Sequence, residues 1–74
     1  MKIEELTIHP LIEAFLKANN DTVENVKEDI KRGYRAEIFA DIQIFAENNQ
    51  PFMELTENQV GLIGSDFLDM ITSA

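Results

Sequence analysis

The most apolar uninterrupted run of the chain, residues 34–47 (YRAEIFADIQIFAE), fits two periodicities. Every even position from Tyr34 to Ala46 is apolar, and the odd positions are polar except Phe39 and Phe45. That alternation suits a strand. The same residues also suit a helix, because Tyr34, Ile38, Ile42 and Phe45 fall on one stripe, widened by Phe39 and Ala46. Length and composition decide between them. Strands run about 5–6 residues, and the Ala, Glu and Gln content favours helix. The reading is therefore a helix. Its alternative is an α+β fold with residues 34–46 as strand.

The rest of the pattern is helical. Ile8, Leu11, Ile12, Phe15 and Leu16 form an apolar face. His9-Pro10 opens it, since Pro is suited to a first helical turn. Asn19-Asn20-Asp21 closes it as a turn. Asp21 is the expected N-cap of a second helix, with Glu24 reaching back to it. Val23, Val26 and Ile30 make its narrow stripe. Lys31-Arg32-Gly33 ends it, with cations at the negative helix end and a Gly free to turn left-handed. The next helix lacks a good N-cap, so the second and third also read as one helix kinked at Gly33. Glu13 with Lys17 and Glu28 with Arg32 are attractive pairs at i, i+4, and Glu24 with Glu28 is a repulsive one.

After residue 47, Asn48-Asn49-Gln50-Pro51 is a loop. Phe52, Met53 and Leu55 form an apolar link expected to pack under the bundle. Thr56-Glu57-Asn58-Gln59 is a capping box. It leads into a face of Val60, Ile63, Phe67, Met70 and Ile71. Gly61 and Gly64 weaken that helix by about 1 kcal/mol each relative to Ala. They allow a neighbouring helix to approach, or the helix breaks at Gly64 and restarts with Ser65 as cap; a single helix is favoured. Residues 1–7, with Ile3 and Leu6, are a lead-in that reads equally as a helical turn or an extended arm. The expected fold is all-α: one small domain of three to four short helices around Phe15, Ile38, Ile42, Phe45, Ile63 and Phe67.

Composition adds two facts. The chain has 74 residues, 45% of them apolar, with five Phe and no Cys. A chain this short is marginally stable, and no disulfide supports it. The apolar content is ample for so small a core, which suggests burial against a partner or a second copy. The second fact is charge. Fourteen Asp and Glu face six Lys and Arg, for a net charge of −8. Direct nucleic-acid binding is disfavoured, because phosphate contacts need cations. Anionic membrane surfaces are disfavoured for the same reason. A basic protein surface is favoured. The start MKIEELTI has no basic n-region followed by an apolar h-region, so no secretory signal is expected. The longest uncharged stretch, residues 58–65, is too short to span a bilayer. A cytoplasmic protein is the expectation.

The chain carries no signature of catalysis, of a metal site or of a cofactor site. His9 is the only His, and beside Pro10 it reads as a cap or surface residue. HExxH, a Gly-rich phosphate loop and an EF-hand loop are all absent. Ser65 and Ser73 lack a GxSxG context. A non-enzyme without cofactor or metal is expected.

Residues 55–65, LTENQVGLIGS, resemble the LTxxQVAxxxG opening of DNA-binding helix-turn-helix motifs. The spacing to Gly64 is one residue short. The would-be recognition segment, residues 65–71, carries Asp66 and Asp69 and no cation. Base reading needs Arg, Lys, Asn or Gln, so the resemblance does not extend to function.

The acidic helical faces remain. Glu24 and Glu28 share a face of the second helix. Glu37 and Asp41 share one of the third, continued by Ile44 and Glu47. Asp66 and Asp69 flank a side of the fourth that includes Leu62. Carboxylates one turn apart stand roughly 5–6 Å apart at Cβ, of the order of the charge spacing along a nucleic-acid strand. A solvated face serving solubility is the competing reading. Ile44 and Leu62 tilt the balance, since an apolar anchor with a charged rim describes a contact surface. The expected function is a protein-interaction module that docks these faces on the basic, nucleic-acid-binding surface of a larger protein and inhibits or modulates it. In size and charge the chain is similar to small phage anti-CRISPR and antirestriction proteins. The alternative is a helical homodimer acting as scaffold or assembly factor, with Ile44, Leu62 and Phe52 in a twofold interface.

Overall fold

A computed structural model of the chain describes residues 8–73; the lead-in of residues 1–7 lies outside the described residues. The protein is all-α. The described residues form helices α1 (Pro10–Ala18), α2 (Val23–Lys31), α3 (Arg35–Asn48) and α4 (Glu57–Ser73), with a 3₁₀ turn at Phe52–Glu54 and no strand. Residues 34–46 are not a strand.

Each helix begins and ends for a local reason. The Leu11 amide donates to His9 Nδ1 at 3.0 Å, so His9 caps α1. The end of α1 is a Schellman motif. Asn20 is left-handed at φ 52°, and the amides of Asn20 and Asp21 donate to the carbonyls of Lys17 and Leu16. The cap of α2 is Thr22, not Asp21. Its Oγ1 accepts from the Asn25 amide at 3.1 Å, while Asp21 accepts only from the Thr22 amide. The Schellman hydrogen bond of Asp21 already assigns that residue to the end of α1, so capping passes one residue on.

Helices α2 and α3 are separate. Gly33 stands at φ +93°. Its amide and that of Tyr34 donate to the carbonyls of Ile30 and Asp29, a second Schellman motif. Arg32 is the C-cap of α2 and lies beyond its last turn, so Glu28 pairs with Lys31 (3.8 Å) rather than with Arg32. Tyr34 occupies the cap position of α3 without a side-chain cap bond and is 52% exposed. It therefore drops out of the stripe expected on that helix.

The core draws on every helix. It comprises Leu11, Ile12, Phe15 and Leu16 of α1, Val26 of α2, Ile38, Ile42 and Ala46 of α3, and Val60, Phe67, Leu68 and Ile71 of α4. Fully burying a Leu or Ile contributes about 1.5–3 kcal/mol, and Leu11, Ile12, Ile42, Leu68 and Ile71 are all closed to solvent. Phe45 and Ile63, expected at the centre, are half-buried at its margin. Phe45 meets Phe15 edge-on (centroids 5.8 Å, 77°) and Phe52 beyond it (6.4 Å). Phe52 is thus committed to the fold, and Met53 beside it is exposed.

Helix α4 starts with a reciprocal capping box. The Thr56 amide donates to Gln59 Oε1 at 2.8 Å, and the Gln59 amide donates to Thr56 Oγ1 at 3.1 Å. It runs unbroken through Gly64. The Phe39 ring lies over both glycines and is closer to Gly64. A Cβ at Gly64 would stand 3.4 Å from that ring, and one at Gly61 3.8 Å from it. With α3 lying on the glycine side, the buried line of α4 runs through Gly64, Phe67, Leu68 and Ile71. Leu68, absent from the expected face, is fully buried.

Candidate functional site

The charge is divided along the chain. Every Lys, Arg and His lies at or before Arg35, together with seven of the fourteen carboxylates. Residues 36–73 carry the other seven: Glu37, Asp41, Glu47, Glu54, Glu57, Asp66 and Asp69. All seven are exposed. The formal charge is therefore −1 before residue 36 and −7 after it. The fold places this half of the chain in α3, the 3₁₀ turn and α4, which pack on one another.

One cation reaches into this half. Arg35, at the start of α3, donates from Nη2 to Asp69 Oδ1 of α4. Both side chains are substantially exposed, at 41% and 65%. Such pairs contribute below about 1 kcal/mol. Asp69 is thereby an internal partner of α3 as well as a surface carboxylate.

The residues singled out from the sequence do not form one patch. Glu24 and Glu28 are exposed on α2, interleaved with Lys27, Lys31 and Arg32. Glu37, Asp41, Ile44 and Glu47 are exposed along α3, with Ile44 at 57%. Asp41 and Ile44 border a shallow concavity that reaches Phe15 of α1 and Asn19, its C-cap. Asp66 borders a wider groove between the start of α1 and α4, where Ile12, Ile63, Phe67 and Met70 are its neighbours.

A third concavity involves residues that the helical patterns had not marked. It lies between α3, the 3₁₀ turn and the first turns of α4. Its volume is about 170 Å³. Ligand pockets are about 300–1,000 Å³, so this one is matched to a side chain. Ala46, Val60, Phe52 and Leu55 supply its apolar walls, and Glu47 and Glu57 its carboxylates. Gln43 and Glu57 also border the next concavity along α4, which ends at Gly61 and Leu62. Leu62 is 65% exposed and Met53, on the turn, 51%. The two therefore bracket a short groove with acidic borders. Met53 and Glu57 were not legible as site residues, because their position depends on how the 3₁₀ turn returns the chain beneath α3.

Among the described residues, no group of three or more His, Cys, Asp or Glu is placed to hold a metal ion. None of their helices is long and apolar enough to cross a membrane. Comparison with protein-family models, curated proteins and solved structures found no match.

Proposed function

We propose that this protein is a non-catalytic interaction module of the cytoplasm. It docks its acidic α3–α4 half on the basic, nucleic-acid-binding surface of a larger protein and blocks or tunes that protein. Phage anti-CRISPR and antirestriction proteins are the type it resembles in size and charge. The observation that carries the reading is the run of seven exposed carboxylates, uninterrupted by a cation, over residues 36–73. Solubility alone asks for charge of mixed sign spread over the surface. One-signed charge over half a molecule creates a directed field that raises association rates with an oppositely charged surface. Glu37, Asp41, Ile44, Glu47 and Asp66 are the principal contact residues of this reading, with Asp69 shared with Arg35. Glu24 and Glu28 contribute less, since cations surround them.

The test is capture on immobilised protein from the source cell at low and high salt. The captured partner is then assayed for nucleic-acid binding while the protein is titrated in. The expected result is a salt-released partner that loses nucleic acid as the protein binds. Retention of full nucleic-acid affinity by the saturated partner, or no salt-sensitive association, would sink the reading.

The homodimer is the second reading, supported by the exposure of Tyr34, Ile44, Met53 and Leu62. A twofold interface through α3 and α4 sets the same carboxylates against their own copies, which costs stability. A dimer that persists at low salt and high dilution in light scattering would reverse this ranking.

A further inference from the structure

Resting on the acidic-docking reading, the geometry points to a specific occupant: the groove between α3, the 3₁₀ turn and α4 takes a basic amphipathic helix of the partner protein. One apolar side chain of that helix seats on Ala46 and Val60, a second lies against Leu62, and its Lys or Arg residues pair with Glu47 and Glu57.

Three observations lead there. The groove has apolar walls at its 3₁₀-turn end, from Ala46, Phe52, Leu55 and Val60, continues past Gln43, Asn58 and Gly61, and is bracketed by two large side chains, Met53 and Leu62, each more than half exposed. Exposed Met beside an apolar cleft is adaptable contact surface. The groove follows α4 from Glu57 to Leu62, a length of about 8 Å. Apolar residues at i and i+4 of a docking helix stand about 6 Å apart along its axis, so two anchors fit. The ionisable residues bordering it are Glu47 and Glu57, and no cation lines it. A helix is favoured over a strand because α3 and α4 satisfy their backbone groups internally and leave no sheet edge to extend. A second copy is a poor occupant. The cations of α2, Lys27 and Lys31, alternate with Glu24, Glu28 and Asp29, so the described residues offer no cationic helix face.

The experiment uses a synthetic Leu/Lys peptide with Leu at i and i+4, beside an isomer of identical composition in scrambled order. Affinity is measured at low salt, and binding is mapped by amide chemical shifts of the full chain. The ordered peptide is expected to bind about tenfold tighter than the scrambled one, a difference typical of a single well-seated anchor. Shifts should centre on Gln43, Ala46, Glu57 and Val60. Leu62→Asp and Met53→Asp, both at exposed positions and with their fold checked by circular dichroism, should erase the preference for order. Ala36→Asp adds the same charge at the far end of α3 and should preserve it. Equal affinity for the two peptides, or shifts centred elsewhere, overturns the groove, while salt-sensitive binding of both leaves the acidic reading standing. Binding of neither peptide removes both. A concentration-dependent dimer that Met53→Asp dissociates assigns the groove to a second copy and overturns the proposal.

Discussion

Residues 8–35 and residues 36–73 build one core and present two surfaces. Leu11, Ile12, Phe15, Leu16 and Val26 of the first half interlock with Ile38, Ile42, Val60, Phe67, Leu68 and Ile71 of the second. Outside, residues 8–35 carry cations and carboxylates interleaved, whereas residues 36–73 carry exposed carboxylates alone. Folding does not demand this difference. No charged side chain is buried among the described residues, and surface charge away from special features changes stability by about half a kcal/mol or less. The comparison separates the apolar core, shared by both halves, from the one-signed surface charge, which is concentrated in one half.

The comparison can be broken from the inside. Ile42 is fully buried in the shared core, so Ile42→Ala is expected to cost about 2–5 kcal/mol. In a domain of this size that removes much of the stability. Urea titration followed by circular dichroism should show both halves melting together at a lowered midpoint. Separate transitions for the two halves would show that they are not one cooperative unit.

Charge placement offers a sharper cut. Glu47→Gln, Glu54→Gln and Glu57→Gln combined change the net charge by the same amount as Glu13→Gln, Glu24→Gln and Glu28→Gln combined. The first set is expected to weaken binding of a Lys-rich probe by about tenfold or more at low salt. The second set should leave it within about threefold. Titration of both variants with one probe tests this; equal losses would mean that net charge, and not its placement, governs attraction.

The glycines differ between the halves in a way that stability measurements can read. Gly33, between α2 and α3, has a left-handed backbone and open space around it. Gly33→Ala should destabilise by about 1 kcal/mol or more, through backbone strain alone. Gly61 in α4 is helical, and its added Cβ meets only the Phe39 ring at 3.8 Å. Gly61→Ala should stabilise by up to about 1 kcal/mol. Thermal melts of the two variants should move in opposite directions, and movement in the same direction would contradict the assigned conformations.

The smallest effect concerns the strap between α3 and α4. Arg35→Ala should cost less than about 1 kcal/mol while freeing Asp69. Its stability change is expected near the limit of detection, and its affinity for a basic probe should rise slightly. A fall in affinity would indicate that Arg35 organises the acidic face.

Much of the fold is legible in the sequence because its signals are local. The Thr56–Gln59 box, the Asn20 and Gly33 stops and the His9-Pro10 start each act within four residues. They place helix ends whatever the rest of the chain does. The length of the apolar run and its Ala, Glu and Gln content likewise outweigh the alternating pattern, and the 14 residues of α3 form one helix. Shifts of one position escape this logic. Thr22 takes the cap from Asp21 because Asp21 is already committed to the preceding helix end.

The sequence by itself determined an all-α chain of three to four helices, an acidic character and the absence of cations after Arg35, since these follow from residue type and short-range spacing. Only the tertiary structure decided which side of each helix is inside. Phe39 settles on Gly61 and Gly64, and that contact carries Leu68 into the core and leaves Leu62 outside. The 3₁₀ turn does the same for its neighbours, half-burying Phe52 against Phe45 and exposing Met53. The groove bordered by Glu47 and Glu57 exists because α3 and α4 meet at that turn. Its residues are distant or unremarkable in the chain, and packing between elements, which no local pattern encodes, brings them together.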